Sequence, residues 1–201
     1  MDFDGATEDD FTRLLEEIPL LYKARAFADG LDQGSWFSRL GEPLDAAERA
    51  LSRLYLDGLG FPAAEPAELG DWEEAAHAAE TLDRDAQAWE AEELLRAGLV
   101  GRALERMDES AVNAALAYVA QKTGEAAKDM VEDAAAYDDG VQTDLVNAAA
   151  GALAQAANGA ALAVLAGAED DDPPHPVLAR WRLFERGRWP VGLVGATFNI
   201  L

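Results

Sequence analysis

Apolar positions recur at helical spacing along most of this chain, and one stretch stands apart. From Leu145 to Ala168 no residue is charged, and Leu145, Ala149, Leu153, Ala156, Ala160 and Val164 fall on a single helix face. At 100° per residue, Asp144, Asn147, Gly151, Gln155 and Asn158 share an arc of about 80° on the other side. A narrow polar strip on an otherwise apolar helix suits a member buried in a bundle. The stretch is also long enough to cross a bilayer, but the strip would give a lipid-embedded span nothing. The pattern predicts the central helix of a soluble, all-α domain, without a membrane span.

The flanking segments carry helix signals of their own. Thr7 with Asp10 reads as a capping pair opening a helix that runs to about Asp29, with a kink or break at Pro19 and an end at Gly30 and Gly34. Pro43 suits the first turn of a second helix, whose Ala47, Leu51, Leu54 and Tyr55 share a face and which stops near Gly58 and Gly60. Pro62 and Pro66 then read as a loop. Asp71 with Glu74 opens a third helix that runs to about Thr81. Residues 84–106 form a fourth, with Trp89, Leu94, Leu95, Leu99 and Leu104, weakened by Gly98 and Gly101. Asp108 or Ser110 caps a fifth, with a seam at Val112, Leu116, Val119, Thr123, Ala126, Met130 and Tyr137. The acidic turn Asp138-Asp139-Gly140 leads into the central helix, which ends at Gly167.

After Glu169-Asp170-Asp171-Asp172 come Pro173 and Pro174, a stiff, solvated linker by composition. Val177 to Glu185 predicts a short helix, and the last fifteen residues either a hairpin around Gly195-Ala196 or an irregular tail packed on the bundle. The expected architecture is a single bundle of about six or seven helices over residues 1–168. Residues 169–176 are the linker, and a Pro- and aromatic-rich C-terminal arm, 177–201, packs on the bundle.

Charge narrows the function classes. The 201 residues hold 39 Asp and Glu against 16 Lys and Arg, a net −23. Such a surface repels nucleic-acid backbones and anionic membranes. Lysine scarcity, with only Lys23, Lys122 and Lys128, fits either a salt-rich cytoplasm or a GC-rich genome. Without cysteine, disulfides, thiolate metal ligands and a thiol nucleophile are excluded. The acidic start, Met1-Asp2-Phe3-Asp4-Gly5, lacks the basic and apolar regions of a secretory signal, so the expected location is the cytoplasm.

The sharpest local anomaly is basic. Arg180, Arg182, Arg186 and Arg188 are interleaved with Trp181, Phe184 and Trp189. Arginine beside tryptophan can grip an anion or stack on a planar group, which marks Trp181, Arg182, Arg188 and Trp189 as candidates for partner binding. The competing reading folds the arm onto the acidic bundle, aromatics inward and arginines paired at the rim. Asn147, Gln155 and Asn158 are candidates to orient a small ligand if their strip faces a cavity; exposure to water is the simpler outcome.

Acidic pairs offer a metal reading. Glu90 and Glu93 lie one helical turn apart, and Glu125, Asp129, Glu132 and Asp133 share one side of a helix. With Glu90, Glu93, Asp129 and Glu132 as ligands, such spacing on facing helices resembles the Mg²⁺ sites of all-helical nucleotide pyrophosphohydrolases, in spacing alone. Solvated helix faces explain the same pairs. His77 and His175 and the four serines stand in no nucleophilic or metal-binding motif, and no cofactor motif is legible. The sequence therefore reads as an accessory or interaction protein, not an enzyme, with a protein or peptide partner of basic character. A Mg²⁺- or Mn²⁺-dependent nucleotide hydrolase and an acidic nucleic-acid mimic are the alternatives.

Overall fold

A computed structural model of the protein describes residues 18, 21–31, 34–82, 87–136 and 141–201, with only the backbone of Glu125 and Lys128. The Thr7–Asp10 cap, the Pro19 break, Tyr137 and the turn at 138–140 lie outside the described residues. Seven helices and three short strands are present among those described: α1 (Leu21–Gly30), α2 (Ala46–Gly58), β1 (Glu65–Glu68), α3 (Trp72–Glu80), α4 (Gln87–Leu104), α5 (Glu109–Ala135), α6 (Thr143–Leu165), α7 (Pro176–Glu185), β2 (Pro190–Val194) and β3 (Thr197–Ile200). The fold is all-α with a small sheet near the C-terminus.

Helix α6, charged only at Asp144 in its first turn, is the spine. It packs along α5 and is also met by α1, α4 and α7. Leu145, Ala149, Leu153, Ala156 and Ala160 of its predicted stripe are buried, while Asp144, Asn147, Gly151 and Gln155 are exposed. Alanine keeps the helix thin, so its neighbours approach closely. At Gly159 an added Cβ would stand 3.0 Å from Val177 Cγ1, which fixes how near α7 comes. Gly151, by contrast, faces open space. Gly167 follows the Ala166 cap at φ +68°, a left-handed conformation that glycine adopts without a Cβ penalty. By length and composition α6 is the one described helix that could cross a membrane.

Caps set most of the other boundaries. Asp71, Asp108 and Asp45 each accept a hydrogen bond from the backbone N–H three residues on, and so open α3, α5 and α2. At α2 the Glu48 carboxylate in turn accepts from the Asp45 N–H, completing a capping box. Pro43 therefore precedes that helix and is not part of its first turn. The glycines at 98 and 101 do not interrupt α4.

Two apolar clusters hold these elements. The larger joins α1, α3, α4, α5, α6 and the inner face of α7 through Leu178, Trp181 and Phe184. The smaller lies between α2, the sheet and the other face of α7, with Tyr55, Leu56, Ala179, Leu183, Phe198 and Ile200. Helix α7 is thus shared between both cores. Strands β2 and β3 form an antiparallel hairpin turning at Gly195-Ala196. Residues 65–68, expected as loop around Pro66, form β1 instead, parallel to β3 with Glu65 opposite Thr197. Proline is tolerated there because β1 is an edge of the β1-β3-β2 sheet.

Candidate functional site, a cleft beside helix α4

Helices α2, α4, α6 and α7 leave a cleft of about 460 Å³ between them, within the size range of ligand pockets. Its back wall is a three-part hydrogen-bonded group. The Tyr55 hydroxyl donates to Glu92 Oε1, and Arg180 Nη1 donates to Glu92 Oε2 at 3.0 Å. The Arg180 guanidinium carbon lies 6.0 Å from the centre of the Tyr55 ring. Burial pushes the Tyr55 phenol far above its usual value, so the group stays a neutral donor.

At the rim, Arg96 forks onto Glu93, with Nη2 to Oε2 at 2.7 Å and Nε to Oε1 at 3.1 Å. That bond, against some burial, holds the Glu93 carboxyl below its usual value. Trp89 stands beside the fork and is 55% exposed. From α6 come Gln155 and Asn158. Gln155 is exposed and has no side-chain hydrogen-bond partner among the described residues. Asn158 is half-buried, and its Nδ2 makes one long bond to Leu116 O at 3.4 Å.

Two residues of the predicted polar strip, Gln155 and Asn158, are therefore brought together in a cleft. Asn147 is exposed, and no residue of its own helix turn lines that cleft. The arm candidates are placed differently. Trp181 is enclosed by Trp36 and Phe27, at ring-centroid distances of 4.9 and 5.3 Å. Trp189 packs on Trp72, and Arg188 is 1% exposed against Glu48. Burial leaves Trp181, Arg188 and Trp189 no face to offer a partner, which corrects the partner-binding expectation for those three. Arg182 alone of the four is exposed, at the edge of a shallow groove between α2 and α7.

The metal candidates do not converge. Glu90 is exposed, Glu93 is tied to Arg96, and among the described residues no three His, Asp or Glu side chains form a group that could hold a metal ion. The helix carrying Glu90 and Glu93 packs mainly on α6 and not along α5, which carries Asp129 and Glu132.

Tyr55, Glu92, Arg96 and Arg180 were not singled out from the sequence as a group. Glu92 and Arg180 are 88 positions apart, and no local motif links them. Trp89 carried a signal as a large aromatic in the 84–106 segment, but nothing local says that it faces outward. The fold and cleft define a mostly helical scaffold with a small sheet and a net-neutral recess beside α4. Compared with protein families, with curated proteins and with solved structures, the chain matches none.

Proposed function

We propose that this protein is a non-catalytic interaction protein that docks an apolar, basic-flanked segment of a partner protein along the outer face of α4 and the cleft beside it. One observation carries the reading. Of the four large hydrophobic side chains exposed among the described residues, three lie on α4: Trp89 at 55%, Leu94 at 75% and Leu104 at 44%. Ala97, Gly98 and Gly101 on the same outer side are exposed and small, so a partner backbone can come close. Several large apolar side chains exposed on one helix of a chain of net −23 are a feature of docking sites.

Charge selects the occupant. Glu90 at the N-terminal end of the face is unpaired by any ion pair among the described residues, and the field of the whole chain is negative. Lysine or arginine flanking the partner's apolar residues would be steered towards it. The titratable groups of the cleft already hold one another, Glu92 with Tyr55 and Arg180 and Glu93 with Arg96, which favours recognition over catalysis. The same reading keeps α6 inside the bundle, wrapped by α1, α4, α5 and α7, and the protein in the aqueous cytoplasm.

The test compares immobilised wild type with a Trp89→Ala/Leu94→Ser variant in capture from native extract at low and high salt. The expected result is a protein retained by wild type at low salt and lost from the variant, whose helical circular dichroism is unchanged. Equal retention by both proteins overturns the reading.

A further inference from the structure

We propose that the cleft clamps the main chain of an extended peptide segment, with Gln155 and Asn158 pairing to its backbone amides and Trp89 closing over it; this rests on the reading of α4 as a docking face. The donor set points to peptide. A carboxamide offers both an N–H donor and a carbonyl acceptor, the complement of a peptide group. Gln155 has no partner among the described residues, and Asn158 has a single 3.4 Å bond through Nδ2, leaving its Oδ1 free to accept.

Spacing agrees with that chemistry. Residues three apart on a helix hold their Cβ atoms about 5–6 Å apart. An extended chain presents equivalent groups on one side every two residues, about 6.6 Å. Gln155 and Asn158, about 4.5 Å apart in rise at 1.5 Å per residue, therefore suit alternate residues of a strand lying along α6.

Charge argues against ionic ligands. Two glutamates and two arginines line the cleft, Glu92 bonded to Arg180 and Glu93 to Arg96, so its interior is net neutral. A phosphate would compete with Glu93 or Glu92 for an arginine inside a chain of net −23, and a cation would compete with an arginine for a carboxylate. Neutral backbone requires neither. The partner's basic side chains then lie outside, near Glu90, and its uncharged main chain inside. Trp89, half exposed at the mouth, gives an apolar lid that dries the amide bonds and strengthens them.

The probe is a displayed library of short linear peptides selected on the wild-type protein, followed by calorimetric titration of the strongest binder. Expected are a loss of about tenfold, roughly 1.4 kcal/mol, when either of two alternate backbone nitrogens is N-methylated, and a similar loss in Gln155→Ala. Gln155 is exposed, so the substitution leaves the fold in place, and Asn158→Ala removes only the long bond to Leu116. Binding that ignores both N-methylation and Gln155→Ala overturns the clamp. If that same binding is lost in Leu94→Ser, the α4 docking face survives without it; if it persists there too, both fail. Selection that yields no peptide overturns the clamp as well.

Discussion

Arg188 and Glu48, 140 positions apart, meet in a two-pronged ion pair: Nε to Oε1 at 3.2 Å and Nη2 to Oε2 at 3.0 Å. Neither side chain is more than 1% exposed. The other donors of Arg188 go to the carbonyls of Arg39, of Glu42 at 2.6 Å and of Pro43 at 2.8 Å, so all five N–H groups are used. Arg39 Nη1 reaches the same Glu48 oxygen at 2.7 Å. The pair thus ties the end of the chain to the first turn of α2 and the loop before it, and it explains why an arginine of the arm lies inside an acidic protein.

Replacing Arg188 with methionine should destabilise the fold by about 3 kcal/mol, the lower end for a broken buried pair, because Arg39 still faces Glu48. Three carbonyls also lose their donor. Glu48→Gln keeps the shape of the side chain, but its NH2 faces two of the four donors the carboxylate now accepts and Arg188 loses its counter-charge, so it too should cost about 3 kcal/mol. Urea midpoints of the two variants check both losses, and a wild-type midpoint in either would remove the pair from the account.

Acid should weaken the same corner. The Glu48 N–H first, and Arg186 second, hold the Asp45 carboxyl down at about 2. Burial pushes Glu48 up, but Arg188 and the Asp45 N–H outweigh it, so its carboxyl too lies below the usual value. Both folded-state values are depressed, so the stabilisation is present above the unfolded carboxylate values of about 3.9 to 4.3 and is lost as pH falls from there through the folded values. Asp45→Asn should therefore flatten the fall of the denaturation midpoint between about pH 4 and pH 2. An unchanged slope would remove Asp45 from the account.

Helix α7 begins on a histidine, whose Nδ1 accepts from the Val177 N–H at 3.3 Å. Burial depresses the His175 value; Asp171 opposes this and Arg102 adds to it. Only the neutral ring can accept that bond. With the folded value below the unfolded one of about 6.5, the stabilisation is present above that pH and is lost as pH falls towards the folded value. His175→Asn should keep the cap and abolish the pH response, while His175→Ala should cost about 1 kcal/mol at neutral pH. Thermal melts at neutral and mildly acidic pH separate the two.

Two leucines of α4 should behave oppositely. Leu99 is 1% exposed, and Leu99→Ala should cost about 2–5 kcal/mol. Leu94 is 75% exposed, and Leu94→Ser should change stability by less than about 0.5 kcal/mol. Denaturant titration of both variants checks this. A large loss in Leu94→Ser would mean that the face is packed in solution and not free to dock a partner.

Helix boundaries were the legible part of the chain because caps and periodicity are local. Asp71 with Glu74, Asp108 before α5, and Gly167 after α6 all sit where the sequence placed them. Asp45-x-x-Glu48 carried the same kind of signal, but Pro43 was read as the start of α2. Strand β1 was missed for a physical reason: its pairing with β3 reaches across more than 130 positions, and nothing within residues 65–68 favours a strand.

The sequence by itself determined that the chain is helical and that α6 is its apolar member, since both depend on residues a few positions apart; between a hairpin and an irregular tail at residues 187–201 the structure decided for the hairpin. Tertiary structure decided which polar side chains are enclosed and which are offered. Gln155 and Asn158 share a cleft while Asn147 does not, and Arg188 is buried while Arg182 is exposed. Those outcomes depend on which helix lies opposite. That is set by the summed packing of α5, α6 and α7, a long-range quantity that no single segment encodes.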